Sequence, residues 1–209
     1  MTIRSLFSRP LRGVFFASLC TLPCVVATVV ALAPAAQAQD QAANDEQPAS
    51  PPKVGGTAPD FQLNELKGNS VTLSKLAASG PVVLVQLRGY PGYQCPFCTA
   101  QVGQYLENAD KFSAAKTSVV FVYAGPAEGL KDHADEFVRG KDFPSNFFLL
   151  LDPDYSVVKR YGLRWNAPSE TAYPATFVLD QKLGVMLAKV SHSHGDRTKP
   201  ADVLAALPQ

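Results

Sequence analysis

Cysteine is scarce in this chain: four among 209 residues, at Cys20, Cys24, Cys95 and Cys98. So few exclude a fold stapled by a disulfide framework. An excess of charge of either sign is also missing. Nineteen basic residues face 18 acidic ones, for a formal net charge of +1, and no block of like charge occurs. That balance excludes the electrostatic footprint of a nucleic-acid binder. Histidine is limited to His133, His192 and His194. A structural zinc site built on a cysteine pair needs two more ligands, and few candidates exist. The run Val82–Leu87 contains no acid, and Gln86 is its only polar residue.

Charge is absent again from Val14 to Leu32, an apolar run that follows a start carrying Arg4, Arg9 and Arg12. Ala36-Gln37-Ala38 then offers the small residues that a signal peptidase reads. Residues 1–38 are therefore expected to be an export signal, cleaved after Ala38. The alternative is an uncleaved anchor, since a run of about 20 apolar residues can span a bilayer. Pro23 and Pro34 and the adjoining small-x-small site favour cleavage. Both readings place the protein in the periplasm, free or anchored facing it. Cleavage removes Cys20 and Cys24 and leaves Cys95 and Cys98 as the mature protein's thiols. The body then carries 16 basic and 18 acidic residues.

Residues 39–53 contain no Val, Ile, Leu or aromatic residue and three prolines, so they are expected to be a disordered linker. Residues 54–209 are expected to form one domain. Phe61–Leu63 and Val71–Leu73 read as short strands around a turn at Lys67-Gly68-Asn69. Pro81–Arg88 and Thr117–Ala124 read as buried strands. Cys95–Phe112 reads as one helix with an apolar face, and Glu128–Arg139 as an amphipathic one. Phe147–Leu151 reads as a strand and Tyr155–Tyr161 as a short helix. Ala175–Asp180 and Val185–Ser191 read as an antiparallel hairpin, and Lys199–Leu207 as a closing helix with proline in its first turn. Strands joined through helices call for parallel pairing, and the hairpin adds antiparallel strands. The fold class expected is α/β, a mixed central sheet with helices on both faces.

Cys95-Pro96-Phe97-Cys98 falls between a strand and a helix. Proline suits the first helical position, which makes Cys95 the N-cap. Its sulfur then faces backbone N–H groups without helical partners, and such a site lowers a thiol pKa. Only the thiolate attacks a disulfide. Cys98 lies one turn on, close enough to resolve a mixed disulfide formed by Cys95. So small a ring would add little as a structural staple.

Four segments in order carry a family resemblance. They are Gly56–Leu63 (GTAPDFQL), Val82–Cys98 (VVLVQLRGYPGYQCPFC), Asp152-Pro153-Asp154 through Tyr161-Gly162, and Tyr173–Asp180 (YPATFVLD). Together they resemble the alkyl hydroperoxide reductase/thiol-specific antioxidant branch (AhpC/TSA, peroxiredoxin-like) of the thioredoxin superfamily. The resemblance implies a thioredoxin-like fold, a redox-active dithiol, and a cis-proline at Pro174 facing it. An ordinary trans-proline at a strand start is the plainer alternative for Pro174. The peroxidase members resemble P-x-x-x-[TS]-x-x-C, which Pro91 to Cys98 fits in spacing, with Cys98 at the attacking position. Cys95 stands where Thr or Ser is expected, and Pro174 where the peroxide-activating Arg is expected. Both departures favour disulfide exchange through Cys95.

The expected enzyme is thus a thiol–disulfide oxidoreductase with Cys95, Cys98 and Pro174 at its site. Peroxide reduction by Cys98 is one alternative. A copper metallochaperone using Cys95, Cys98 and His192 or His194 is another. No cofactor or resident metal is expected. The partners expected are a protein or small-molecule disulfide or thiol, or peroxide, and a separate redox partner for recycling; no nucleic acid is expected, and a membrane only if the leader stays uncleaved. Arg88 reads as a solvated strand-end residue or, alternatively, as a stabiliser of a nearby thiolate. Tyr90 and Tyr93 read equally as a groove lining or as cover for the core edge. His192 and His194 read as exposed loop residues carried to the dithiol end by the hairpin, and His133 as solvated.

Overall fold

The computed structural model describes residues 49–92 and 94–208. The expected export signal, the first residues of the expected linker and Tyr93 lie outside the described residues. Pro51 and Pro52, at the end of the expected linker, are half-buried, and they lie beside Ala188 and Val190.

In chain order the elements are β1 (Gln62–Glu65), β2 (Ser70–Thr72), α1 (Leu73–Ser79), β3 (Val82–Gln86), α2 (Pro96–Glu107), α3 (Ala109–Ala114) and β4 (Ser118–Gly125). There follow α4 (Leu130–Val138), β5 (Phe147–Pro153), α5 (Ser156–Arg160), β6 (Ala175–Leu179), β7 (Val185–Val190) and α6 (Pro200–Ala205). The strands form one sheet in the order β2-β1-β5-β4-β3-β6-β7. β3 pairs with β4, and β4 with β5, in parallel. The pairs β3–β6 and β6–β7 are antiparallel, as are β1–β2 and β1–β5. This is the mixed α/β architecture that the alternation of patterns implied. Among the described residues no helix is long and apolar enough to cross a membrane.

β3 explains why the sheet is covered on both faces. All five of its residues are buried. Val82 and Leu84 join a core with residues of α1 and α5, while Val83 and Val85 join a second core with residues of α2, α3, α4 and α6. Successive side chains of a strand point to opposite faces, so a continuous apolar run is what a doubly covered strand requires. The two cysteines belong to the second core.

Two expectations about helices need correction. The strand expected to reach Leu73 ends at Thr72: Leu73 opens α1, which the sequence reading lacks. Its cap comes from fourteen positions away. The Asp60 carboxylate accepts hydrogen bonds from the Ser74 backbone N–H (2.9 Å) and hydroxyl (2.6 Å). The adjacent residue, Thr72, makes no capping bond, so no local signal marks this start. The single helix expected over Cys95–Phe112 is two. Asn108 breaks it: its side-chain amide donates to the Gln104 carbonyl, and its own carbonyl accepts the first bonds of α3. Asparagine competes with the helical ladder in this way.

The loop from β3 to the dithiol depends on Gly89. Its φ is +73°, and a Cβ there would sit 1.9 Å from the Ala124 carbonyl oxygen. Both the left-handed backbone and the approach of β4 require glycine. Gly89→Ala is expected to lower stability by at least about 2 kcal/mol, measured by urea unfolding.

Candidate active site

Cys95 is the N-cap of α2, with Pro96 at the first helical position. The thiols of Cys95 and Cys98 are free, and the two residues are only 2% and 1% exposed. Cys95 closes no full capping hydrogen bond. Its pKa is nevertheless lowered to about 5, chiefly by a hydrogen bond from the Cys98 thiol. Burial opposes the shift, while the Cys98 backbone N–H, the charge of Arg197 and the Arg88 guanidinium assist it. Cys98 moves the other way: its hydrogen bond to Cys95 and its burial hold the pKa well above the usual thiol value. The pair thus shares one proton, which rests on Cys98.

The sheet determines what faces this pair. In the β3–β6 ladder Gln86 stands opposite Ala175, so Pro174, the next residue, lies beyond the end of β3, where the dithiol loop begins. Pro174 is buried, and it shares a small hollow with Gln101 of α2 and with Arg197. β7 then brings the chain back: Ala175 pairs with Val190, and the Ser191 N–H donates to the Pro174 carbonyl at 2.8 Å. The segment after β7 therefore returns to the dithiol, as the hairpin geometry implied.

The residue that reaches the sulfurs from this segment is Arg197. One of its terminal nitrogens lies 3.8 Å from Cys95 Sγ and 3.6 Å from Cys98 Sγ. The sequence reading applied the hairpin argument to the histidines and omitted this arginine, although the same argument carries it to the same end. His194 instead places Nε2 2.9 Å from Glu170 Oε1 and lies 5.0 Å from the Trp165 ring. His192 is exposed and sits edge-on against Tyr173. Neither histidine joins the two cysteines. Among the described residues no group of three His, Cys, Asp or Glu side chains could hold a metal ion, so the copper-site geometry is not assembled.

Arg88 is not solvated. It is 6% exposed, and its guanidinium forms a forked ion pair with Glu170. Its backbone N–H donates to Cys98 Sγ at 3.4 Å. Burial works to lower the Arg88 pKa, but the hydrogen bond and charge of Glu170 more than offset it. Burial likewise works to raise the Glu170 pKa, and the bonds from Arg88 and His194 bring it below the usual carboxylate value. The correction has a simple cause: the partner stands 82 positions later, where no local pattern reveals it.

The remaining neighbours hold the loop. Gln94 accepts from the Tyr123 hydroxyl (2.9 Å) and donates to the His133 carbonyl (2.7 Å), tying the residue before Cys95 to β4 and α4. Tyr90 donates to the Glu128 carbonyl and stacks on His133 at 3.8 Å, so its ring covers the core edge. His133 is accordingly stacked on one face. Gln86 donates to the Leu87 and Val122 carbonyls and is consumed by the backbone. Phe97 is 47% exposed and lies beside Gly195.

The lowered Cys95 pKa has two consequences. Alkylation of the reduced protein by iodoacetamide is expected to rise with a midpoint near pH 5, followed by mass spectrometry of the Cys95 peptide. Below the ordinary thiol value of 9.0, the unfolded chain binds more protons here than the folded one. Stability from Cys95 is therefore fully present above pH 9 and is lost as pH falls through about 5. Thermal melts of the reduced protein should follow this direction.

Comparison with known proteins agrees with this geometry. The AhpC/TSA family model matches residues 54–187. A Mycobacterium tuberculosis protein assigned as a peroxiredoxin (MT1643) is 31% identical over 112 residues, covering 54% of this chain and 67% of its own. The crystal structure of peroxidoxin BcpB from Mycobacterium tuberculosis superposes with a TM-score of 0.58 at 26% identity, over 74% of this chain and 95% of that one. A Chlorobium tepidum protein assigned as the thiol:disulfide interchange protein DsbE gives a TM-score of 0.54 at 25% identity, over 75% of this chain and 99% of that one. With a family match over most of its length and a buried, charge-supported thiol pair at a helix start, the chain belongs to the AhpC/TSA family of thiol-dependent redox enzymes.

Proposed function

We propose that the protein is an exported thiol–disulfide oxidoreductase in which Cys95 attacks, Cys98 resolves and Pro174 shapes the substrate side. The observation that carries this reading is the opposite displacement of the two thiols. Cys95 is lowered to about 5 and Cys98 is raised, so at neutral pH the nucleophile is Cys95.

The Cys95 thiolate attacks one sulfur of a substrate disulfide. A Cys95–substrate disulfide forms, the substrate bond breaks, and the released thiolate takes a proton from water. Cys98 then gives its proton to the hydroxide left in the first step, and its thiolate attacks Cys95 Sγ. The Cys95–Cys98 disulfide forms, the second substrate thiol leaves, and the substrate has gained two electrons. A separate thiol reductant resets the pair, and the direction reverses if the partner is more reducing. The basic start, apolar run and Ala36-Gln37-Ala38 site support export to the periplasm.

Peroxide reduction is the second reading. It is supported by the relatives described as peroxiredoxins and by the position of Cys98 in the P-x-x-x-[TS]-x-x-C spacing. A protonated Cys98 weighs against it, because the thiolate is the nucleophile.

Two single substitutions separate these readings. Under disulfide exchange, Cys98→Ser accumulates a mixed disulfide with a peptide disulfide substrate, and Cys95→Ser loses at least about 100-fold in turnover. Full exchange activity in Cys95→Ser would sink the role assignment. Rapid peroxide consumption by Cys95→Ser, lost in Cys98→Ser, would install the peroxidase reading instead.

A further inference from the structure

We propose that Arg197 is a catalytic residue of the dithiol exchange: a single guanidinium lies against both sulfurs and stabilises the thiolate on Cys95 in the first step and on Cys98 in the second. This rests on the exchange reading above.

The argument begins with how the guanidinium is held. Its Nε donates to the His194 carbonyl at 2.7 Å, and one terminal nitrogen donates to Gln101 Oε1 at 3.3 Å. Gln101 stands on α2 three residues after Cys98 and is only 3% exposed. With two of its three nitrogens committed, the planar fork has one orientation left, and that orientation points the other terminal nitrogen at the sulfurs. The contacts of 3.8 Å to Cys95 and 3.6 Å to Cys98 are nearly equal. The His194 backbone is fixed in turn, since its ring is bonded to Glu170 and lies against Trp165.

The other cations nearby pair with carboxylates, although the Arg88 guanidinium also assists the Cys95 thiolate. The Arg88 side chain is forked onto Glu170, and Lys189 pairs with Asp196. Asp196, the acid adjacent to Arg197, is thereby held chiefly by Lys189. Arg197 thus remains as the cation whose terminal nitrogen touches both reacting atoms.

The equal contacts matter because negative charge changes place during the reaction. Attack by Cys95 removes its charge into a covalent bond. Cys98 must then ionise inside the core, where desolvation opposes it. A cation already seated beside Cys98 supplies the compensation with no rearrangement. When the Cys95–Cys98 bond closes, both sulfurs are neutral and Arg197 retains Gln101 and the His194 carbonyl.

The test uses the full chain with both cysteines present. The Cys95 alkylation midpoint is measured for the wild type, Arg197→Met and Arg197→Lys. In parallel, Cys95 is loaded with thionitrobenzoate and the release of that thiolate by Cys98 is followed at 412 nm. Arg197→Met is expected to raise the midpoint by about one pH unit and to slow release at least tenfold. Arg197→Lys, which keeps charge but not the fork, is expected to move the midpoint less and still slow release. An unmoved midpoint together with unchanged release in folded Arg197→Met overturns the proposal. If Arg197→Met fails to fold, unchanged release in Arg197→Lys overturns it. A wild-type protein that releases no thionitrobenzoate overturns the exchange reading itself, and this proposal with it.

Discussion

A buried ion pair holds the working end of the molecule together. Arg88 leaves the end of β3 and grips Glu170, which belongs to the loop before β6. Glu170 takes His194 from the segment after β7, and the His194 carbonyl takes Arg197. Arg197 faces both sulfurs, and the Arg88 backbone N–H faces Cys98. The contacts close on themselves: thiols, Arg197, His194, Glu170, Arg88, thiols. Breaking a buried pair leaves an uncompensated charge and costs about 3–5 kcal/mol. Side chains thus add to the backbone bonds in fixing three loops relative to one another.

The sheet makes this arrangement possible without forming it. β3 and β6 run antiparallel, and β6 and β7 antiparallel again. The end of β3, the start of β6 and the end of β7 consequently meet at one edge, and α2 begins there as well. Any residue in these four short regions is a neighbour of the dithiol by topology. What sets the field at the thiols is which of them carry charge. The family pattern expects Thr or Ser where Cys95 stands and Arg where Pro174 stands. Here the guanidinium beside the thiols comes from beyond β7 instead, a different point of the chain at the same edge of the sheet.

The sequence disclosed the parts of the fold that depend on local pattern. β3 and β4 are continuous branched runs, and the hairpin is two such runs with a short turn. α4 shows its period, and Cys95-Pro96 shows a helix start. The parts that depend on distant partners were hidden. α1 begins at Leu73 because Asp60 caps it from another segment. α5 is the contrast, legible in the sequence because its cap is local: the Asp152 carboxylate accepts from the Val157 and Val158 N–H groups five and six positions on. Arg88 looks like a solvated end residue until Glu170 is placed beside it. At the site, the two cysteines could be assigned separate tasks from helix geometry alone. Of the charges that enforce the assignment, Arg197 was within reach of the hairpin argument, but its contact with sulfurs some hundred positions away needed the folded chain.

Phe97 has a consequence of its own. It sits between the two cysteines in the chain, and 47% of it is open to water, while both cysteines are almost wholly covered. Covering that half of the ring with a partner's surface would contribute about 1 kcal/mol, roughly a fivefold gain in residence. The attraction is non-directional and reads no sequence. The most reactive atom of the protein is thus flanked by a patch of unselective attraction.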